Sequence, residues 1–379
     1  MKNNRTFLEK LLDGAEVKWM PLDEVANIAN NARKPVKSSL RISGNIPYYG
    51  ANNIQDYVEG YTHDGEFVLI AEDGSASLEN YSIQWAVGKF WANNHVHVVN
   101  GKEKLNNRFL YHYLTNMNFI PFLAGKERAK LTKAKLQQIP IPIPPLPVQT
   151  EIVKILDALT ALTSELTSEL ILRRKQYEYY REKLLNIDEM NKVIELGDVG
   201  PVRMCKRILK NQTASSGDIP FYKIGTFGKK PDAYISNKLF QEYKQKYSYP
   251  KKGDILISAS GTIGRTVIFD GQNSYFQDSN IVWIDNDETL VLNKYLYHFY
   301  KIAKWGIAEG GTIQRLYNDN LKKVKISIPP LKEQHRIVSI LDKFETLTNS
   351  ITEGLPLAIE QSQKRYEYYR ELLLNFNNT

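Results

Sequence analysis

The chain is poor in the features that identify secreted, membrane-spanning or disulfide-bonded proteins. It has 379 residues but a single cysteine, Cys205, which excludes an intrachain disulfide and a multi-cysteine zinc site. The N-terminal residues MKNNRTFLEKLLDGAEVKW lack the apolar core of a signal peptide. No run approaches the roughly 18 apolar residues of a membrane span. We therefore expect a cytoplasmic chain.

Catalytic and cofactor-binding motifs are also missing. GTIGRT (261–266) has two glycines three apart, whereas a phosphate-binding loop needs wider spacing and a lysine. The chain lacks a G-x-G-x-x-G fingerprint, the Asn/Asp-Pro-Pro-aromatic segment of amino-methyltransferases and a clustered-carboxylate nuclease motif. His95 and His97 form H-x-H on a predicted strand, but without a third ligand they indicate a structural or DNA-facing role. We expect no catalytic residue and no metal site.

The composition is that of a globular protein long enough for two domains. Hydrophobic residues make up 42% of the chain and charged residues 24%. Lys plus Arg number 50 and Asp plus Glu number 42, so the formal net charge is +8. This excess fits a polyanionic partner, although many proteins that bind no nucleic acid share it. The 23 tyrosines suit a wet binding surface, because tyrosine combines an apolar ring with a hydroxyl group.

The chain contains the same segment twice. IPIPPLPVQTEIVKILDALTAL (141–162) matches ISIPPLKEQHRIVSILDKFETL (326–347), and QYEYYREKLLN (176–186) matches RYEYYRELLLN (365–375). The second copy carries four extra residues between these two blocks. GNIPYY (44–49) matches GDIPFY (217–222) more faintly. Each half is therefore a variable region of about 140 residues, a Pro-rich hinge and a helix.

The helix after each hinge carries apolar residues at heptad a and d spacing. These residues are Ile152, Ile155, Leu159, Leu162 and Leu166 in the first copy, and Ile337, Ile340, Phe344, Leu347 and Ile351 in the second. The shared register lets the helices pair with each other, and antiparallel pairing would place the variable regions at opposite ends of a rod. Gly354 and Pro356 predict a kink or break near 353–357.

The four-residue word Thr-Ser-Glu-Leu occurs twice in succession in TSELTSEL (163–170), which lies within the first helix. Its leucines continue the apolar stripe, so ordinary coiled-coil packing is sufficient to explain it. The alternative is that the repeat acts as a ruler, meaning that its length sets a distance. Each four-residue word adds about 6 Å of helix at ~1.5 Å per residue.

Both variable regions combine predicted strands with a late helix. The strands are GEFVLIAE (65–72), HVHVV (95–99), GDILIS (253–258) and NIVWI (280–284). The helices contain FLYHYL and YLYHFY, in which we expect His112 and His298 to be partly buried and hydrogen-bonded.

Basic and polar residues occupy matching places in the two regions and indicate DNA binding, because Lys and Arg neutralise phosphates and Arg, Asn and Gln read base edges. The candidates in the first region are Arg33, Lys34, Lys37, Arg41, Tyr48, Tyr49, Asn52, Asn53, Lys126, Arg128, Lys130 and Lys133. Those in the second are Lys206, Arg207, Lys210, Tyr222, Lys223, Lys229, Lys230, Thr312, Gln314 and Arg315.

These motifs resemble the specificity subunit of type I restriction-modification systems. The resemblance lies in the doubled hinge, IPIPPLPVQ (141–149) and ISIPPLKEQ (326–334), and the doubled helix end, YEYYRE at 177–182 and 366–371. The second region also contains GDILISASGTIGR (253–265) and GTIQRL (311–316), which are typical of that family and add Ser260, Thr262 and Arg265 as candidates. The first region has AEDGSASLEN (71–80) and GKERAKL (125–131) instead.

The resemblance implies an α+β fold with two mixed α/β target recognition domains, at 1–148 and 188–332. A pair of long antiparallel conserved helices, at 149–187 and 333–379, would form a coiled coil in a pseudo-twofold repeat. Tyr177, Tyr180, Tyr366 and Tyr369 would join the helical and partner-binding surface. Each domain would read one half of a split, asymmetric double-stranded DNA site.

The resemblance also implies partners and places the chemistry in them. The chain itself would be non-catalytic and hold no cofactor. It would dock two adenine methyltransferase subunits that use S-adenosylmethionine, and the resemblance allows for two further motor and nuclease subunits that use ATP and Mg²⁺. Two other functions stay open: a stand-alone DNA-binding regulator without enzymatic partners, and an enzyme whose site the known motifs do not reveal.

Overall fold

The computed structural model describes residues 6–125, 129–186, 191–306 and 314–376. Its contacts divide the chain into two units. The first unit comprises Met1–Thr167 and Ala358–Thr379, and the second comprises Ser168–Leu357. Each unit therefore contains one variable region together with part of each repeated helical segment.

The first unit is built on a six-stranded sheet. The described part of the unit as a whole has eight strands: β1 (Lys18–Pro21), β2 (Ala26–Ile28), β3 (Ser43–Tyr49), β4 (Ile54–Val58), β5 (His63–Ala71), β6 (Ile83–Ala92), β7 (Val96–Gly101) and β8 (Pro140–Ile143). The sheet order is β2-β7-β5-β6-β3-β4, in which β3 and β6 run parallel and the other neighbours antiparallel. β1 and β8 form a separate antiparallel pair, and β8 includes the first residues of the first hinge.

One of the four helices described in the first variable region packs on the central strands of this sheet. The four are α1 (Phe7–Leu12), α2 (Leu22–Val25), α3 (Asn107–Thr115) and α4 (Lys133–Gln137). Phe109 and Leu110 of α3 are fully buried in one core with Val68 and Ile70 of β5. Burying such a side chain contributes about 1.5–3 kcal/mol, so this interface holds the helix on the sheet.

The second unit repeats this plan with shorter strands. They are β9 (Lys192–Glu195), β10 (Val202–Arg203), β11 (Ile219–Tyr222), β12 (Tyr234–Ile235), β13 (Ile255–Ser258), β14 (Thr266–Ile268), β15 (Tyr275–Phe276), β16 (Ile281–Ile284) and β17 (Lys325–Ile328). The helices of the rest of the chain are α5 (Leu146–Leu185), α6 (Leu196–Val199), α7 (Asn237–Lys246), α8 (Asn293–Tyr300), α9 (Asn318–Lys322), α10 (Leu331–Asn349) and α11 (Leu355–Leu374). Short 3₁₀ turns lie at Asn30–Ala32, Ser38–Leu40, Ile120–Phe122 and Lys210–Gln212.

The order of strands is the same in the two units, but the sheet of the second is split. One sheet has the order β10-β16-β13-β14 and the other has the order β12-β11-β15. β14 pairs with β13, and β15 pairs in parallel with β11, so together they take the two roles that the single strand β6 has in the first unit. The predicted strands and the two late helices are confirmed, whereas the strand order was not predictable from the sequence.

The hinge glutamines explain why the two hinge sequences are so similar. Gln149 is fully buried; its Oε1 accepts from the Asn106 backbone N–H at 2.9 Å, and its Nε2 donates to the carbonyls of Lys104 and Pro144. Gln334 makes the same three bonds, to Leu292, Leu290 and Pro329. Each glutamine thus fastens the hinge to the loop that precedes α3 or α8.

The predicted pairing of helices is present within each unit. In the first unit, Ile152 and Leu156 of α5 share a core with Leu373 of α11, while Thr163 Oγ1 lies 2.8 Å from Ser362 Oγ. Partner numbers fall as α5 advances, so the helices are antiparallel. In the second unit, α5 pairs in the same sense with α10: Arg174 Nη2 donates to the Thr348 carbonyl at 3.5 Å, and the Tyr177 and Tyr180 rings stack on Phe344.

The second repeated helix is broken, as predicted, but the break begins earlier than 353–357. α10 ends at Asn349 and α11 begins at Leu355, so Pro356 lies in the first turn of a helix, where proline is tolerated. Gly354 adopts φ +91°, a conformation that favours glycine. Ile351 was expected on the apolar stripe; it lies in the break instead and is 78% exposed.

The other predicted stripe residues lie on the paired helices. Ile152 and Ile337 are buried, and Ile155, Leu159, Leu166, Ile340, Phe344 and Leu347 are partly buried, whereas Leu162 is exposed. Among the described residues, no helix combines the length and the apolar character needed to cross a membrane.

Candidate nucleic-acid interface

In each unit a basic segment precedes a strand that pairs in parallel with its neighbour. Arg33, Lys34 and Lys37 come before β3, and Lys206, Arg207 and Lys210 come before β11 at the same spacing from the matching GNIPYY and GDIPFY strings. All of these residues except Arg33 are exposed. The structure therefore places the predicted lysines and arginines on the same connection of the fold in both units.

In the second unit this segment forms one wall of a cleft of about 600 Å³. We call it the basic cleft; its lining residues are Arg207, Ile208, Leu209, Lys210, Thr213, Phe221, Lys223, Gln277, Asp278, Ser279, Asn280 and Arg315. Four of the predicted DNA-binding residues, Arg207, Lys210, Lys223 and Arg315, are thus brought together from positions more than 100 residues apart in the sequence. Such a concentration of cations suits the phosphates of a nucleic acid.

The GTIGR loop supports the floor of the basic cleft. Ser258 accepts a hydrogen bond from the Arg265 backbone N–H at 2.9 Å and donates to the Thr262 carbonyl, which closes the loop on itself. Ser260 donates to Asn280 Oδ1 at 2.9 Å and forms a backbone bridge with Arg315. Ser260 is buried and Arg265 donates to the Phe227 carbonyl, while Thr262 is exposed.

Glycine is required where this loop turns. Gly264 has φ +81°, and a Cβ atom there would lie 2.2 Å from the Trp305 indole nitrogen. The loop therefore depends on close contact between its backbone and that ring.

The remaining candidates of the second unit lie around β11. Tyr222 is partly buried and stacks on Phe276, and burial raises the pKa of its hydroxyl. Lys223 Nζ is 2.9 Å from Asp232, so part of its charge is already compensated. Lys206 lies over the Tyr247 ring, while Lys229, Lys230 and Gln314 are exposed.

In the first unit, several predicted DNA-binding residues are engaged within the protein. Arg33 Nη1 lies 2.7 Å from Glu72, which also receives Lys130 at 2.9 Å, and Arg33 donates to the Val96 carbonyl. Burial would raise the pKa of Glu72, but the hydrogen bonds from Arg33 and Lys130 hold it below its ordinary value. Arg33 is only 17% exposed and links the segment before β3 to the start of β7.

The aromatic candidates of the first unit also face inward. Tyr48 is 1% exposed, and its ring carries the Arg41 guanidinium at 4.1 Å while its hydroxyl accepts from the Val36 backbone N–H. Tyr48 is therefore a core residue in this structure and lies beneath the surface on which the sequence analysis placed it. Arg41 also contacts Asp56 at 3.3 Å, and Tyr49 packs edge-on against Phe90.

The exposed candidates of the first unit are Lys34, Lys37, Asn52, Asn53, Lys130 and Lys133, of which Lys130 is paired with Glu72. Asn52 binds the Gly74 carbonyl and the Ala76 backbone N–H, so it shapes the loop that occupies the place of the GTIGR loop. Lys126, Arg128 and Thr312 lie outside the described residues. DNA contact by every candidate in the two units stays a prediction.

The histidines are bound to protein groups. His97 is fully buried; its Nδ1 accepts from Asn30 and its Nε2 donates to the Leu131 carbonyl, and burial lowers its pKa. His95 precedes β7 rather than lying within it, and it contacts Asp73 at 2.6 Å. The two rings therefore have separate partners and do not form a pair of metal ligands.

His112 and His298 are hydrogen-bonded, as expected, but they are fully rather than partly buried. His112 Nε2 lies 2.8 Å from Asp157 of α5, and His298 Nε2 lies 2.8 Å from Asp342 of α10. Burial lowers the pKa of each imidazole although the carboxylate opposes this shift. These pairs link α3 to α5 and α8 to α10, and the sequence analysis did not identify their aspartates.

One group of possible metal ligands occurs among the described residues: His298, Asp342 and Glu345, whose ligand atoms lie within 4.8 Å of one another. Lys301 and Tyr297 already donate to Glu345, and Lys294 lies 3.3 Å from Asp342. The ammonium groups supply the positive charge that a metal would bring, so these residues form an ion-pair network between α8 and α10.

The repeated YEYYRE ends divide their tyrosines between the inside and the surface. Tyr177 is 5% exposed and Tyr366 is partly buried, whereas Tyr180 is 40% exposed. Tyr369 is partly buried and packs edge-on against Phe7. Tyr179 and Tyr368, which are equivalent in the repeat, are the most exposed, at 57% and 62%. The sequence analysis did not single them out; their helical position opposite Tyr177 and Tyr366 was the available signal.

Comparison with known proteins gives consistent results. The family model described as "Type I restriction modification DNA specificity domain" matches residues 15–173 and again 188–361. A Haemophilus influenzae chain described as a type I restriction enzyme specificity subunit is 95% identical over the full length of both chains. An Escherichia coli specificity subunit is 32% identical over 98% of this chain and 97% of its own. A solved type I S subunit from M. genitalium, 14% identical, has a TM-score of 0.57 over 99% and 96% of the two chains, and therefore shows the same fold.

Proposed function

Because the chain belongs to the family of type I restriction-modification specificity subunits, its role is DNA recognition rather than catalysis, and we propose that it reads a split site with one half-site for each unit. The observation that carries this proposal is the basic cleft of the second unit, together with the basic segment on the same connection of the first. Two units with one topology and different surface residues suit two unrelated half-sites.

We propose that α5 sets the gap between the half-sites. TSELTSEL (163–170) includes Thr167 and Ser168, where the chain passes from the first unit to the second. The helix is continuous from Leu146 to Leu185, so a change of length here is transmitted along a regular element. One word corresponds to about 6 Å, comparable to one or two base pairs at ~3.4 Å each.

We propose that two copies of an adenine methyltransferase subunit dock on the repeated helix ends. Exposed Tyr179 and Tyr368 occupy equivalent positions there, and large exposed aromatic side chains are typical of protein interfaces. A surface that occurs twice in the chain explains how one asymmetric chain can accept two identical partners. S-adenosylmethionine would bind to these partners, and ATP and Mg²⁺ to motor and nuclease subunits that join the complex. The assembly would act on host DNA in the cytoplasm.

Two assays of the purified chain test this function. With labelled S-adenosylmethionine and DNA, we expect no methyl transfer until the methyltransferase is added; transfer by the chain alone would contradict the proposal. Binding to duplexes that carry one or both half-sites should show that each half-site contributes separately to affinity. A chain that needs no partner to act in cells would instead favour the stand-alone regulator.

A further inference from the structure

The basic cleft contains one acidic residue among its lining residues, Asp278. Four cationic side chains, Arg207, Lys210, Lys223 and Arg315, share the cleft with it. A carboxylate repels phosphate oxygens, so Asp278 weakens the contact that the cations make with a DNA backbone. Its presence in a phosphate-binding cleft therefore calls for a different role.

The Asp278 carboxylate has no ion-pair partner among the described residues, although cations are close by. Elsewhere in this unit carboxylates near lysines or arginines are paired: Asp232 with Lys223 at 2.9 Å, and Asp285 with Lys251 at 3.1 Å. Asp278 also has no side-chain hydrogen bond in the part of the chain that the structure describes. Its two oxygen atoms are thus available to a ligand in the cleft.

The neighbours of Asp278, in contrast, are fixed. Gln277 Oε1 accepts from the Ile224 backbone N–H, Asn280 Oδ1 accepts from Ser260, and the Ser279 carbonyl accepts from Arg315. Ser279 has φ +53°, which is uncommon for a residue other than glycine and often marks a functional loop. The loop from Gln277 to Asn280 therefore holds a free carboxylate between anchored residues.

The same loop in the first unit has no acid. Gln277 donates its backbone N–H to the Tyr222 carbonyl, and Asn93 donates to the Tyr49 carbonyl in the same way. This correspondence places Asn94 opposite Asp278. The acid thus occurs in one unit only, as expected for a residue that reads one half-site, and is not part of the topology that the two units share.

We propose that Asp278 is a specificity-determining residue that accepts a hydrogen bond from the exocyclic amino group of a base, cytosine N4 or adenine N6. A carboxylate can only accept, and in the major groove these amino groups are the donors that a base pair presents. The same carboxylate repels guanine O6 and thymine O4, so it selects one base by attraction and others by repulsion. This inference rests on the proposed DNA-reading function of the second unit.

The test compares Asp278→Asn and Asp278→Ser with the wild-type chain in complex with its methyltransferase. Once the wild-type site is known, we expect each variant to lose discrimination at a single position of one half-site by roughly ten- to a hundredfold. Binding to an unrelated duplex should stay unchanged or rise, because a negative charge has left the cleft. Glu242→Gln removes the same charge from α7, outside the cleft lining, and should leave discrimination intact.

Base analogues provide an independent measurement on the wild-type chain. Adenine is replaced by purine and cytosine by 2-pyrimidinone, one position at a time, which removes the exocyclic amino group. We expect a tenfold or larger loss of binding at one position, which the Asp278 variants no longer show; the analogue that causes the loss identifies the base. Sensitivity at no position of the half-site would overturn the proposal, even if the variants failed to fold. Failure of the wild-type chain to bind any split site would contradict the proposed function itself.

Discussion

The two units share one topology but differ in what their loops expose. In the first, the sheet is continuous through β6, and Arg33, Lys130 and Arg41 are paired with Glu72 or Asp56. In the second, the equivalent of β6 is divided into β14 and β15, and the residues that follow β15 line a cleft with several cations. The difference teaches that basic residues at matching sequence positions need not present matching surfaces.

What the units have in common is the frame that joins each variable region to its helices. Gln149 and Gln334 make the same three hydrogen bonds, and His112 and His298 bind the equivalent aspartates of α5 and α10. These contacts are internal to each unit and involve no candidate DNA-binding residue. We infer that the frame preserves the fold while the loops diverge to read different sequences.

The largest change is expected from altering the helix that both units share. Deleting Thr163–Leu166 removes about 6 Å and turns the following helix by about 40°, yet it leaves a Thr at the position that contacts Ser362, because the word is repeated. We predict loss of binding to the original site and a gap altered by one or two base pairs, with both half-sites retained. Methylome sequencing measures this outcome.

The matched control keeps the length of α5 and changes its chemistry. The double substitution Thr167→Ala with Ser168→Ala leaves the number of residues in α5 unchanged, so the gap between the half-sites should stay the same. An unchanged gap in the deletion variant would contradict the proposal that the length of α5 sets the gap between the half-sites.

The next effect sharpens the comparison of the two surfaces. Removing three cleft cations with Arg207→Ala, Lys210→Ala and Arg315→Ala should weaken DNA binding by about a hundredfold or more and lower the salt slope by about three. Lys34→Ala with Lys37→Ala in the first unit should have a smaller effect, with a slope change of about two. Lys238→Ala with Lys246→Ala on α7 is the control for lost charge outside the cleft. Equal losses in all three proteins would mean that the cleft has no special role.

The shared frame predicts equal effects in the two units. Gln149→Ala and Gln334→Ala each remove three hydrogen bonds of a fully buried amide, so each should lower the free energy of unfolding by about 3 kcal/mol. Denaturant titration monitored by hydrogen exchange reports each unit separately. Gln361→Ala, at an exposed position of α11, should change stability by less than about 0.5 kcal/mol. A large difference between the two hinge variants would show that the frames are not equivalent.

A smaller effect distinguishes the continuous helix α5 from the broken pair α10 and α11. At Gly354 a Cβ atom would lie 2.5 Å from the Thr346 carbonyl oxygen, and φ is +91°. Gly354→Ala should therefore destabilise the protein by about 2 kcal/mol. Gly225→Ala, where the added Cβ meets no atom within 4 Å, serves as the control in thermal unfolding. Stabilisation by Gly354→Ala would mean that the helix prefers to be continuous.

Acidification should affect the first unit more than the second. Burial lowers the pKa of His63, His97 and His112 in the first unit but only of His298 in the second. Since the unfolded chain binds protons at a higher pH than the folded chain, this stability is present above pH ~6.5 and is lost as the pH falls. Hydrogen exchange at pH 7.5 and 5.5 should show the larger loss of protection in the first unit. His97→Gln should reduce that difference, and a larger loss in the second unit would contradict the assignment.

The repeated parts of the fold were predictable because they leave periodic patterns. The hinge, the paired helices, the late helices and the core strands follow from apolar spacing and from the match between the halves. Gly354 and Pro356 predicted the break in the second repeated helix, but not that α10 would already end at Asn349.

The candidate site was less predictable than the fold. Arg207 and Arg315 were identified from their residue types, but their meeting in one cleft depends on tertiary packing. Tyr48 was a DNA-binding candidate because it follows a basic segment and matches an aromatic residue of the other half, whereas in the structure it is buried on β3, which pairs in parallel with β6. Asp278 carried no sequence signal, since its significance comes from the cations around it.

The central claim is that two units read two half-sites across a gap that neither unit reads. Methylome sequencing of cells that express the chain with its methyltransferase tests this claim most directly. We predict methylated adenines in a split motif of two unrelated half-sites separated by a fixed number of unspecified bases. A continuous motif, or two copies of one half-site, would contradict the account.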